Sequence, residues 1–143
     1  MSEETEPKRR AAAFRRMREA HQNEAAEDYV ELIGDLIAAT GEARLTDLAA
    51  HLGVSAATAS KVVQRLQLEG LIESRPYRSM FLTERGRAVA DASRHRHQIV
   101  REFLRAIGVS EATSEADAEG MEHHVSDETL DALARVTLLF GRK

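Results

Sequence analysis

A chain of 143 residues with 43% hydrophobic side chains can build one core or two small ones, and its two prolines leave room for a mostly helical fold. The absence of cysteine excludes disulfides and thiolate metal sites, 4% aromatics argue against stacking platforms for single-stranded nucleic acid, and no stretch approaches the roughly 20 apolar residues of a membrane span. The net charge of −4 is unevenly spread: residues 44–90 carry +3, while 1–43 and 91–143 carry −4 and −3, a pattern that fits a nucleic-acid-contacting module flanked by segments that attract cations.

The N-terminal MSEETEPKRR lacks the apolar stretch of a signal peptide, so a cytoplasmic location without membrane association is expected. Residues 1–7 are polar and read as disordered. The following KRRAAAFRRMR is either a solvated helix or a basic arm for a DNA backbone or membrane surface, and Phe14 and Met17 are spaced to dock on the body of the protein. Tyr29, Val30, Leu32, Ile33, Leu36 and Ile37 recur at helical spacing, which predicts a long first helix ending near Ala39, before Gly41.

From Leu45 the pattern becomes compact. Thr46 is placed to cap a helix reaching about His51, with Leu45, Leu48 and Leu52 inward, and Gly53 supplies a turn. Ser55 caps a second helix over 56–68 whose buried side is Val62, Val63 and Leu66. LIESR and MFLT then read as two short strands around Pro76-Tyr77-Arg78-Ser79. Helix, glycine turn, capped helix and two-stranded wing, in that order within about forty residues, describe a winged helix-turn-helix. The second helix of such a unit enters the major groove by its N-terminal end. Here that end offers Ser55, Ala57, Thr58 and Ser60 for close approach, hydrogen bonding and thymine-methyl contact, while Lys61, Arg65 and the wing-tip Arg78 suit phosphates. A winged helix used for protein contacts is the alternative reading of the same pattern.

A further helix begins at Thr83-Glu84-Arg85-Gly86 and runs to Gly108; Ser110 caps another reaching about His124, and Ser126 opens the last. Outside the winged helix, carboxylates and histidines gather at helical spacing. Asp28 and Glu31 stand at i, i+3, Glu119, Glu122 and His123 at i, i+3, i+4, and His97 lies on the long fourth helix, whereas His95 and His124 are left outside the set. Four carboxylates and two imidazoles without a thiol suit a hard or borderline divalent ion such as Mn²⁺ or Fe²⁺.

EDYVELI (27–33), the winged helix, RHQIVREFLRAIGV (96–109) and DAEGMEHHVS (117–126) together resemble the manganese-regulator branch of the diphtheria toxin repressor superfamily over about residues 25–140. The resemblance implies a homodimeric repressor that binds palindromic operators of metal-uptake genes in double-stranded DNA when loaded with Mn(II). It also implies that Asp28, Glu31, His97, Glu119, Glu122 and His123 hold a binuclear metal site in each subunit. Iron-sensing relatives carry methionine where Asp28 stands, and oxygen in place of sulfur favours manganese. The expected organisation is a basic extension, partly disordered or helical, over 1–24, a winged helix-turn-helix domain over 25–90 and an α-helical dimerisation and metal-binding domain over 91–143. Leu130, Leu133, Val136, Leu139 and Phe140 of the last helix serve either a dimer interface or the core of one subunit. Nothing in the resemblance assigns a role to the first 24 residues. Two other readings compete: a winged-helix regulator sensing Fe(II) or a small organic molecule, and a di-metal hydrolase, for which no spare general base is evident.

Overall fold

The computed structural model describes residues 5–75 and 79–140, which form six helices and two short strands. The elements run α1 (Glu6–Thr40), α2 (Leu45–Leu52), α3 (Ala56–Leu68), β1 (Ile72–Ser74), β2 (Met80–Leu82), α4 (Glu84–Ala106), α5 (Glu111–Met121), a 3₁₀ turn (Glu122–His124) and α6 (Asp127–Phe140). They fall into two compact units, one of Ala25–Gln98 and one of Met1–Glu24 with Ile99–Lys143.

Helix α1 begins earlier than its polar leader suggests. Glu6 and Pro7 are not disordered but form its first turn, where the missing proline N–H costs no hydrogen bond, and Glu6 pairs with Arg10 one turn on at 2.7 Å. The basic stretch is therefore helical, with Phe14 and Met17 each about half exposed. At the far end the Thr40 hydroxyl donates to the Leu36 carbonyl at 2.9 Å, and Gly41 lies outside the helix.

In the unit of Ala25–Gln98, one core gathers Val30 and Ile33 of α1, Leu48 of α2, Ala59, Val63 and Leu66 of α3, Leu71, Ile72 and Met80 of the wing, and Ala90 of α4. Burying side chains such as Ile33, Leu48 and Leu66 contributes roughly 1.5–3 kcal/mol each. Tyr29 joins this core; burial raises its phenol pKa above the usual value, and the nearby Arg65 charge offsets part of that rise. Helix α2 starts at Leu45, and Arg44 precedes it without a side-chain cap. Thr46 therefore lies within its first turn and does not cap it. Gly53 adopts a left-handed φ of 66°, and the Val54 N–H reaches back to the Ala49 carbonyl at 3.1 Å, turning the chain sharply into α3.

The wing is an antiparallel pair with Ile72 opposite Leu82, Glu73 opposite Phe81 and Ser74 opposite Met80. Ser79 also bridges to Arg44, and the Met80 N–H donates to the Ala43 carbonyl at 3.0 Å, tying the wing to the start of α2. Thr83 locks the return. Its hydroxyl donates to the Gly70 carbonyl at 2.6 Å and accepts the Gly86 N–H at 3.0 Å, so it caps α4 while fastening it to the end of α3.

In the other unit, Val100 and Leu104 of α4, Ala118 of α5 and Leu130 of α6 form a second core, with Phe103, Val109, Val125 and Leu133 packed around it. Ser110 and Ser126 cap α5 and α6 by accepting the N–H groups of Thr113 and Thr129 at 3.3 and 3.2 Å. Helix α5 stops at Met121, and the chain tightens into the 3₁₀ turn that carries Glu122, His123 and His124. Along α6, Leu130 is buried, Leu133 and Val136 are half-buried, and Leu139 and Phe140 are exposed. Among the described residues no helix is long and apolar enough to cross a membrane.

Candidate functional site

The candidate residues fall into two sets, and local rules place the members of each. The first is the N-terminal end of α3. Ser55 is extended (φ −71°, ψ 156°), and its Oγ accepts the Thr58 N–H at 3.1 Å while its hydroxyl donates to Thr58 Oγ1 at 3.0 Å. Ser55 is thus committed to capping, and the Thr58 hydroxyl keeps its own proton for a partner. Ala57, Thr58, Lys61 and Arg65 are exposed and Ser60 is half-buried. Positions 57, 61 and 65 repeat every four residues, so they line one face of the helix while Ala59, Val63 and Leu66 face the core. Arg65 Nε lies 3.8 Å from the Glu69 carboxylate, both roughly half exposed, a contact of little energetic weight that leaves the guanidinium available. Arg78 and the turn around it lie outside the described residues. A wing cation not anticipated from the sequence is Arg75, whose guanidinium sits 4.4 Å above the Phe81 ring.

The second set is the six candidate metal ligands, of which three belong to each unit. In the unit of Ala25–Gln98, Asp28 and Glu31 lie on α1 and His97 on α4, all half-buried. Here the two helices are stitched by polar contacts. Ser93 Oγ donates to Glu31 Oε2 at 3.0 Å, Arg94 Nη2 pairs with Asp35 at 2.6 Å, and Arg96 approaches Glu27 at 3.8 Å. Ser93 is only 2% exposed, and its hydroxyl ties the Glu31 carboxylate to α4. It was not singled out in the sequence, although it stands one turn before His97, on the same face of α4. The buried stripe of α4 is Ala90, Ser93, Val100 and Leu104, whereas Ala88 and Ala92 are exposed.

In the other unit, Glu119 is exposed near the end of α5, and Glu122 and His123 are buried in the 3₁₀ turn. Glu122 is 1% exposed overall, and its Oε1 lies 3.4 Å from His123 Nε2. Taking an ionised carboxylate out of water costs several kcal/mol unless charge or hydrogen bonds compensate. Glu122 and His123 set a carboxylate and an imidazole side by side, a donor pair of the kind a divalent cation can take.

Two family models match the chain. The model described as the iron dependent repressor N-terminal DNA binding domain matches residues 22–80, and that of the iron dependent repressor metal binding and dimerisation domain matches 83–138. The transcriptional regulator MntR of Escherichia coli O6:H1 is 55% identical over 130 residues, covering 91% of this chain and 84% of that protein. Among solved structures, a manganese-dependent transcriptional repressor in complex with manganese superposes with a TM-score of 0.67 at 30% identity over 78% of this chain and 52% of its own. The manganese regulator SloR does so with a TM-score of 0.70 at 27% identity, over 80% of this chain and 54% of its own. The chain thus spans about half the length of these two solved regulators. A hydrolase reading of the carboxylates does not survive a family made of regulators. The chain belongs to the MntR family of transcriptional regulators, within the iron-dependent, or diphtheria toxin, repressor superfamily, with a winged DNA-binding domain followed by a metal-binding and dimerisation domain.

Proposed function

We propose that this regulator is a manganese-responsive cytoplasmic repressor whose homodimer, loaded with Mn(II), binds palindromic operators of metal-uptake genes. The observation that carries the reading is the buried Glu122 beside His123, inside the segment matched by the metal-binding and dimerisation model. The proposed ligands are Asp28, Glu31, His97, Glu119, Glu122 and His123, which hold a binuclear site in each subunit. Their four carboxylates and two imidazoles fit Mn(II), and oxygen from Asp28 favours it over softer ions. Bound metal supplies positive charge that offsets repulsion among the carboxylates. The half-exposed and exposed apolar end of α6, from Val136 to Phe140, is the proposed contribution of this chain to the dimer.

Metal acts on DNA binding to the extent that it favours the conformation in which two α3 helices reach successive major grooves, about 34 Å apart. A coupling of about 1–3 kcal/mol corresponds to roughly 5- to 150-fold in DNA affinity. In a fluorescence titration of a palindromic uptake-promoter duplex, Mn²⁺ is expected to tighten binding within that range. Unchanged affinity on adding Mn²⁺ refutes the proposal, and tightening by Fe²⁺ but not Mn²⁺ replaces it with an iron sensor. In the same assay Lys61→Ala is expected to weaken binding to all sequences alike and to reduce the salt slope by about 1, as for loss of one phosphate contact. An unchanged salt slope removes Lys61 from the interface.

A further inference from the structure

A second group of metal-competent side chains lies in the unit of Met1–Glu24 and Ile99–Lys143, and it shares no residue with the six proposed ligands. His21 and Glu24 stand one turn apart on α1, and His124 ends the 3₁₀ turn after α5. Residues a hundred positions apart in sequence thus meet. His21 Nδ1 is 3.2 Å from Glu24 Oε2, His124 Nε2 is 3.6 Å from the same oxygen, and the two imidazole centroids are 5.7 Å apart. One donor atom from each of the three lies within 4.8 Å of the others.

These spacings can be compared with a coordination sphere. Zn²⁺ bound to imidazole nitrogen and carboxylate oxygen at about 2.0–2.2 Å in a tetrahedron requires neighbouring ligand atoms roughly 3.3–3.6 Å apart. Two of the three edges are already close to that length. An open cleft of about 720 Å³ runs beside the cluster, with Met17 and His21 on α1 and His124 and Val125 among its walls, which leaves room for water as a fourth ligand. Two imidazoles and one carboxylate form a more nitrogen-rich set than the six proposed manganese ligands, and the general affinity order places Zn²⁺ above Mn²⁺ on such donors.

We infer that His21, Glu24 and His124 form a separate site for a borderline divalent cation of the Zn²⁺ class, which clips the basic N-terminal stretch of α1 to the 3₁₀ turn. The site gives a role to a segment that begins before the region matched by the DNA-binding model. Glu24 also comes within 4.8 Å of His123, one of the six proposed ligands, so His21 and His124 are the two members that distinguish this site.

The test compares the full chain with His21→Ala/His124→Ala, two exposed positions whose truncation leaves both cores intact. Titration with Zn²⁺ against a chromophoric chelator is expected to count one more tightly held ion per chain in the wild type than in the double variant. Glu24→Gln, which keeps the shape but removes the charge, is expected to weaken that same ion. Saturating Zn²⁺ is also expected to slow tryptic cleavage after Arg15, Arg16 and Arg18 in the wild type only. Equal Zn²⁺ stoichiometry and affinity in wild type and double variant overturn the inference, as does equal protease sensitivity of the wild type with and without Zn²⁺. Circular dichroism of the double variant, expected to match the wild type, keeps a folding defect from imitating loss of the site.

Discussion

Glu122→Ala is expected to abolish Mn²⁺-dependent operator binding while leaving the chain folded and dimeric. Glu122 is among the most deeply buried side chains, and it sits beside His123 in a turn closed by the Ser126 cap of α6. Removing its carboxylate deletes one charge from the proposed ligand set, and Glu122 is not a member of the apolar cluster of Val100, Leu104, Ala118 and Leu130. In thermal melts the metal-free variant is expected to lose stability, because truncating a fully buried side chain leaves a cavity and takes away a neighbour of His123. The roughly 5- to 150-fold tightening of operator binding by Mn²⁺ should disappear. Anisotropy titrations with and without Mn²⁺, alongside size-exclusion chromatography and thermal melts, separate these effects. A variant that still binds its operator only when Mn²⁺ is present would remove Glu122 from the ligand set. Glu122→Gln refines the result, because it keeps the volume and loses only the charge.

The largest expected effect on stability comes from Gly86→Ala. A Cβ at this position in the first turn of α4 would overlap the Leu71 carbonyl oxygen, and that atom is backbone already engaged by the Thr83 N–H at 3.1 Å. Neither side can yield without loosening the bonds by which Thr83 ties α3, the wing and α4 together. A cost at the upper end of the roughly 1–3 kcal/mol typical of overpacking, or beyond it, is expected in chemical denaturation. Gly120→Ala is the matched control. It lies inside α5 with nothing within 4 Å of the added Cβ, so a gain of about 0.5–1 kcal/mol from helix propensity is expected there. Similar stability changes in the two variants would show that the contact with Leu71 is not what requires glycine at position 86.

Helix ends and the winged unit were legible because their signals are local. Ser55, Ser110 and Ser126 cap the helices they precede, and the glycine after α2 turns the chain as its position suggests. A cap is a bond over three residues, and an apolar stripe repeats within one helix, so both can be read from neighbouring letters. Thr46 shows the limit: a residue of capping type lies inside the first turn because the bridge between Arg44 and Ser79 of the wing sets where α2 begins.

By itself, the sequence determined the order of elements, the exposed face of α3 and the donor types of the six candidate ligands, since residue type and helical spacing decide these. Tertiary structure alone decided that Glu122 and His123 are buried, that Ser93 reaches Glu31 across sixty-two positions, and that His124 meets His21 and Glu24. These depend on how distant segments pack, and a residue's own periodicity does not record which side chain from elsewhere in the chain will face it. The first part of α1, to which the family resemblance assigns no role, acquires its proposed one only through that packing.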